Sequence, residues 1–367
     1  MKIVVALDKF KGSLTATRAC EIVRGALQTA RPEWQIVVKP MADGGDGTAE
    51  VLQSALGGEW ILQRVTGPLQ AMPSTGKYVW VNDRKWAVIE MATASGLVLL
   101  RTEHRNPLRT TTHGTGELIE AAAKRGAQKI LFGVGGSATV DGGVGAAMAL
   151  GWRFFAANGR RVGQGGGELE QIARFEAPAN LKLPEIEVMC DVDNPLCGEN
   201  GAARVFGPQK GATTDMIERL DAGLCQLANV VKEQLGKDIA DVPGAGAAGG
   251  LAFGAMAFMN AKLVPGIDTV MAASGLQEAL TGANWVITGE GCFDEQSLRG
   301  KVVAGVARAA RNLGVKVAMI AGNATRPKTE DIAILLTLRK EGMSLEQAMA
   351  NAEKLLAESA REMAARL

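Results

Sequence analysis

An α/β fold built on a parallel sheet is predicted by three features of this 367-residue chain. Short β-branched runs alternate with helically periodic stretches at both ends, glycine- and aspartate-rich turns follow those runs, and a long middle stretch has a different texture.

The first run, residues 3–7 (Ile-Val-Val-Ala-Leu), has no polar face, as expected of a strand covered on both sides. Ala19, Ile22, Val23, Ala26, Leu27 and Ala30 then repeat at helical spacing, with Ser13 or Thr15 available as N-cap and Pro32 closing the far end. A second strand at 36–38, a glycine-rich turn at 43–48 and a second helix at 49–55 complete a β-α-β-α start. The same grammar returns later: a strand at 285–288, a glycine-acidic loop, a helix at 302–313, and strands at 315–320 and 332–336. Ser344 and Gln347 have capping-box spacing, and Leu345, Ala348, Met349, Ala352, Leu355, Leu356 and Met363 predict one final helix with a single apolar stripe. The middle holds a hairpin around 78–90, a helix at 117–125 ended by Gly126, a strand at 129–134 and a tightly packed helix from about Ala248. Two strands before it and three after can share a doubly wound sheet only if the chain ends meet in one domain. The expectation is therefore a discontinuous Rossmann-like domain with a parallel sheet over 1–62 and 275–367, plus a large inserted second α/β domain over 63–274, with the active site in the cleft between them.

Composition narrows the function. Hydrophobic residues at 47% and charged residues at 22% describe an ordinary globular protein rather than a disordered one. Lys plus Arg (40) nearly cancel Asp plus Glu (39), too balanced for a protein that lives by neutralising nucleic-acid phosphates. Five cysteines without a C-x-x-C pair, and only two histidines (His104 and His113), argue against a disulfide framework or structural zinc and for a reducing cytoplasm. The N-terminal segment, with Asp8 and two lysines in its first ten residues, does not read as a secretory signal. The longest uncharged run, 242–261, holds five glycines, a proline and an asparagine, which makes it a poor membrane span. Small-molecule partners, no nucleic acid, no membrane, and a monomer or homodimer are expected.

Glycine is the outlier, 46 of 367 residues against a typical share of about 7%. In open α/β sheets ligands lie beyond the carboxyl ends of the strands, and the glycines gather there with acids and lysines. Asp8 and Lys11 follow the first strand and Asp43-Gly44-Gly45-Asp46-Gly47-Thr48 the second; Gly289-Glu290-Gly291-Cys292-Phe293-Asp294 follows the strand at 285–288. The middle repeats the habit with the loop 135–143, which contains Ser137, Thr139 and Asp141, and with Asp191-Val192-Asp193-Asn194-Pro195. Glycine lets backbone amides approach an anion, carboxylates suit a hard cation such as Mg²⁺, and lysine suits phosphate, so the combination points to phosphoryl transfer. Neither the P-loop nor the dinucleotide G-x-G-x-x-G pattern is present where it is needed, which argues against a dehydrogenase.

These stretches resemble the bacterial glycerate kinase (glycerate 2-kinase, type 1) family almost from end to end. The matching motifs are Asp8-Lys9-Phe10-Lys11-Gly12-Ser13-Leu14, Ala42-Asp43-Gly44-Gly45-Asp46-Gly47-Thr48, Arg105-Asn106-Pro107-Leu108, Gly114-Thr115-Gly116-Glu117-Leu118-Ile119, the loop 135–143, residues 190–196, residues 206–212, residues 246–250, and Thr288-Gly289-Glu290-Gly291. The resemblance implies ATP-dependent phosphorylation of D-glycerate to 2-phosphoglycerate, and a Rossmann-like domain paired with a second domain of its own type. The alternatives are a kinase for another small 2-hydroxy acid, or a nucleotide and hydroxy-acid binding protein that has lost turnover. Three departures bear on efficiency or substrate preference. Lys9 stands where the family usually has serine, and Cys292 where it usually has arginine, with Arg299 ahead of Gly300-Lys301 as a substitute; the loop after Gly322 also looks shorter than usual.

Against this reaction, Asp191 is the expected base, with Lys11 and Asp8 as further catalytic residues. Asp43, Asp46, Ser137, Thr139 and Lys210 are expected to bind substrate, and Gly289, Glu290, Gly291 and Asp294 the nucleotide. ATP and Mg²⁺ are the expected cofactors, the metal on Asp43, Asp191 and Glu290. His113 and Cys292 read as a packing or surface residue and an unactivated thiol.

Overall fold

The computed structural model describes residues 1–295, 297, 301–325 and 329–367. In chain order its strands are β1 (Lys2–Leu7), β2 (Gln35–Val38), β3 (Glu59–Thr66), β4 (Pro73–Val81), β5 (Trp86–Glu90), β6 (Lys129–Gly133) and β7 (Arg153–Phe155). Then come β8 (Arg174–Glu176), β9 (Glu185–Met189), β10 (Lys262–Val264), β11 (Trp285–Phe293), β12 (Lys316–Ala324) and β13 (Ile334–Thr337). Two compact units result: Met1–Asp43 with Glu50–Leu56 and Pro265–Leu367, and Gly44–Ala49 with Gly57–Val264.

In the first unit the strands from the two chain ends form one all-parallel sheet in the order β13-β12-β11-β1-β2. Ile3, Val5 and Leu7 share one hydrophobic cluster with Ile287, Ile320, Val23 and Leu27 of the helix Ala16–Ala30, and Leu356 and Met363 of the helix Ala352–Arg366. Val4 and Ala6, equally buried, alternate to the other face. Burial on both faces is why β1 carries no polar residue inside it. Of the two candidate caps, Thr15 closes the first helix by accepting from Arg18 N. The Ser344–Gln347 capping box forms, but the expected final helix is two helices, Leu345–Ala350 and Ala352–Arg366. Asn351 leaves helical geometry between them and returns its side-chain amide to Gln347 O at 2.8 Å, the local competition that asparagine offers a helix backbone.

The second unit holds a mixed six-stranded sheet, β10-β9-β6-β5-β4-β3, in which β4 and β5 form the expected hairpin, β3 and β4 pair antiparallel, and β5, β6, β9 and β10 run parallel. The helix expected from Ala248 begins with Ala248, Gly249 and Gly250 all at positive φ; regular helix follows to Phe258. Trp152, Phe154, Phe175 and Phe258 interlock edge-to-face deeper in this unit. The sequence argues against a disulfide framework, and one disulfide is present, between Cys197 and Cys225. Their separation of 28 residues carries no recognisable pattern; the helix Thr214–Leu235 brings Cys225 to the loop after β9. Among the described residues no helix is long and apolar enough to cross a membrane.

Candidate active site

In the first unit, parallel register sets two acids side by side. Leu7 of β1 is opposite Gly289 of β11, and Asp8 N donates to Gly289 O at 2.8 Å, so Asp8 and Glu290 emerge at the same level of neighbouring strands. Both are only 8% exposed. Burial pushes Asp8 up to about 6, helped by the nearby charge of Asp43 and opposed by Lys9, whose backbone N–H also donates to Asp8 Oδ1 at 2.7 Å, and by Lys301. Burial likewise pushes Glu290 up to about 7; Ser297 and Lys301 pull against it, and Asp8 and Asp294 add to it. Glu290 Oε1 is buried without a hydrogen-bond partner. Asp294 is held by Ser297: Asp294 N donates to Ser297 Oγ at 3.0 Å, and Ser297 N to Asp294 Oδ1 at 3.2 Å. Gly291 passes close to the segment after β1: a Cβ there would lie 3.2 Å from Lys11 N. Beside this edge, Asn323, in register with Cys292, lines a cavity of about 500 Å³ with Arg339, Lys340 and Met343.

In the second unit the Ser137 loop follows β6 and the Asp191 loop follows its parallel neighbour β9, with Gly133 opposite Met189. Lys210 is 2% exposed and donates from Nζ to Ser137 Oγ and to Thr139 O, both at 2.7 Å. Burial drags this amine down to about 7, and the Asp141 carboxylate opposes the fall. Asp141, fully buried, accepts from Thr112 N (2.7 Å), Thr112 Oγ1 (2.9 Å), Gly143 N (3.2 Å) and Gly145 N (3.3 Å). Desolvation nevertheless raises its carboxyl above the ordinary range. Gly136, at φ +69°, admits Asp46: a Cβ at 136 would lie 2.5 Å from Asp46 Oδ1. Thr139 Oγ1 is buried without a hydrogen-bond partner. His113 lies 3.6 Å from Glu117.

Thus Asp8, Asp43, Glu290 and Asp294 act electrostatically as one group in the first unit, with Gly289 and Gly291 in the same strand. Asp46, Ser137, Thr139 and Lys210 gather in the second, and half-buried Asp191 leaves the neighbouring strand. Lys11 is exposed, and the cations that bear on Asp8 are Lys9 and Lys301 instead. Arg299 lies outside the described residues, as does part of the loop after Gly322, at 326–328. Cys292 is exposed, and its thiol is pushed up by desolvation and by Asp294 and Glu290, the opposite of nucleophile activation. Sequence reasoning missed Lys301, Ser297, Thr112 and the hub role of Asp141. Only Asp141 carried a local signal, an acid just ahead of Gly142-Gly143 in a loop already singled out.

Among the described residues no three His, Cys, Asp or Glu side chains form a group that could hold a metal. Asp8 and Glu290 do offer hard oxygen donors, one of them orphaned, which suits an ion that arrives with phosphates and keeps its waters.

Polar loops at the carboxyl ends of parallel strands define the class, an α/β protein with its candidate ligand site at the strand ends. A family model for the glycerate kinase family matches residues 3–367, and the chain belongs to that family. It is 45% identical to a glycerate kinase of Halalkalibacterium halodurans over 99% of this chain and 97% of the relative. It is 46% identical to a glycerate 2-kinase of Escherichia coli over 89% of this chain and 86% of the relative. The crystal structure of a candidate glycerate kinase 2 from Salmonella typhimurium LT2 matches it with a TM-score of 0.89 at 41% identity, covering 100% of this chain and 98% of that one.

Proposed function

We propose that the protein transfers the γ-phosphoryl group of ATP to D-glycerate, giving 2-phosphoglycerate and ADP, as a cytoplasmic enzyme working as a monomer or homodimer. The family match over residues 3–367 carries this reading, and the buried acids and lysine at the strand ends supply the chemistry it needs. The substrate 2-hydroxyl oxygen attacks the γ-phosphorus while the bond to the β–γ bridging oxygen breaks and ADP leaves with that electron pair. The hydroxyl proton passes to the Asp191 carboxylate. Lys210 orients Ser137: because Nζ donates to Ser137 Oγ, the serine proton is left to point toward a bound oxygen anion. Thr139 Oγ1 and Asp46 line the same loop. The strand end Gly289–Glu290–Gly291 and Asp294 receive the nucleotide, with Lys9, Lys11 and Lys301 as its counter-charge. Asp8 and Glu290 would hold Mg²⁺, which when bound neutralises charge building on the phosphates.

Coupled assay of ADP release with D-glycerate, followed by phosphorus NMR of the product, tests the reading. No turnover across three- and four-carbon hydroxy acids with Mg²⁺-ATP would end it and leave a binding protein. One observation favours a second substrate: Cys292 is exposed at the strand edge where the resemblance leads one to expect arginine. A higher kcat/KM for another 2-hydroxy acid in the same panel would select that reading.

A further inference from the structure

We propose that Arg105 grips the carboxylate of the hydroxy-acid substrate, an assignment that rests on the kinase reading above. Three observations converge on this side chain. First, its segment is fixed to the Ser137 loop. Arg109 N and Thr110 N donate to Asn106 O at 3.0 and 3.1 Å, Leu108 N donates to Asn106 Oδ1 at 3.1 Å, and Thr110 Oγ1 donates to Ala138 O at 2.8 Å. Second, the segment abuts the turn that carries Lys210. Gly211 has φ +88°, and a Cβ there would lie 2.6 Å from Arg105 O and 3.0 Å from Arg105 Cβ, so glycine is what allows the two chains to approach. Third, Arg105 Nε is buried without a hydrogen-bond partner, and among the described residues its guanidinium makes no ion pair or aromatic contact.

A buried guanidinium N–H without an acceptor costs the protein its desolvation and returns nothing. A planar carboxylate repays that cost best, because the guanidinium fork matches both of its oxygens. Lys210 is not an equal candidate. Two of its three N–H groups are already committed to Ser137 and Thr139, and its remaining charge faces Asp141. Arg105 is therefore a cation of the second unit with a desolvated donor still to place, on a segment tied to the loop of a serine whose hydroxyl is already oriented. The oxyanion it receives is the substrate carboxylate in this assignment; a nucleotide phosphate has kindred chemistry and is separated from it by experiment.

The test uses full-length Arg105→Gln and Arg105→Lys proteins, with calorimetric titration of D-glycerate and steady-state kinetics varying D-glycerate and ATP separately. Loss of a charge-assisted pair predicts that Arg105→Gln weakens D-glycerate binding and raises its KM by about 30- to 100-fold, with kcat and the KM for ATP within about threefold of the parent. Arg105→Lys, which keeps the charge but not the fork, should fall between them. Discrimination of D-glycerate over glycerol should collapse in Arg105→Gln. Unchanged D-glycerate affinity in both variants, or a rise in the KM for ATP instead, overturns the assignment. Titration of the parent protein keeps the two readings apart: D-glycerate bound but never phosphorylated defeats the kinase reading, whereas turnover that is indifferent to Arg105 defeats only this one. Should Arg105→Gln fail to fold, Arg105→Lys carries the same comparison.

Discussion

The strand ends of the two units solve the same problem with opposite charges. In the first, two adjacent strands force Asp8 and Glu290 into a desolvated corner, where both carboxyls rise to about 6 and about 7. In the second, a buried lysine is held by a serine and a carbonyl and falls to about 7. Burial is the first cause in all three cases; the sign differs because desolvation always disfavours the charged form, which is the base form of an acid and the acid form of an amine. In each unit, separately, burial leaves the charged form of these groups disfavoured, as it does at many functional sites.

The sharpest separation of the two regions should come from Asp191, which sits on the lysine side. Asp191→Asn is expected to lower kcat by about 10²- to 10⁴-fold with the fold and ATP binding intact, as loss of a proton acceptor does. Near-normal turnover, measured by the coupled assay, would remove Asp191 from the reaction. Asp141 should matter to stability instead. Asp141→Ala orphans four donors, and a loss of about 3–5 kcal/mol in urea denaturation is expected.

Stability against pH should have opposite slopes in the two regions. Folding raises Asp8 and Glu290, so their protonated-state stabilisation is complete below about pH 4 and is lost as pH rises through 6 and 7. Folding lowers Lys210 from 10.5 to about 7, so its contribution is complete above pH 10.5 and is lost as pH falls through 7. In metal-free buffer, the double change Asp8→Asn, Glu290→Gln should therefore stabilise the protein by about 4 kcal/mol more at pH 8 than at pH 5. An identical pH profile for variant and parent would show that neither carboxyl is desolvated. Lys210→Met should abolish the fall in stability on the descent from pH 10 to 6. The mildest effect belongs to a site remote from both regions: Ser344→Ala removes one arm of the capping box and should cost about 1 kcal/mol by thermal denaturation.

Local pattern was a good guide wherever one element decides its own structure. The apolar run of β1, the Ser344–Gln347 box and the hairpin of β4 and β5 are all legible from period and capping chemistry. It misled at Ala248, where the close approach of Gly249 to the backbone at Thr139 goes with left-handed geometry, and at Asn351, where one side-chain amide divides a helix that the apolar stripe makes continuous. The disulfide was equally out of reach, since only the packing of the helix Thr214–Leu235 brings Cys225 to Cys197.

By itself, then, the chain determined that glycine-acid turns follow buried strands, and with that the fold class and the family, because both are written in short-range order. The tertiary structure decided which polar groups share a charge environment. Asp8 meets Glu290 through strand register across more than 280 residues of chain, a pairing visible only once the sheet is assembled. Lys301 joins them, Asp141 becomes a hub, and Arg105 buries its Nε without gaining a partner for it. Desolvation depends on every neighbour at once, and no local spacing in the sequence encodes it.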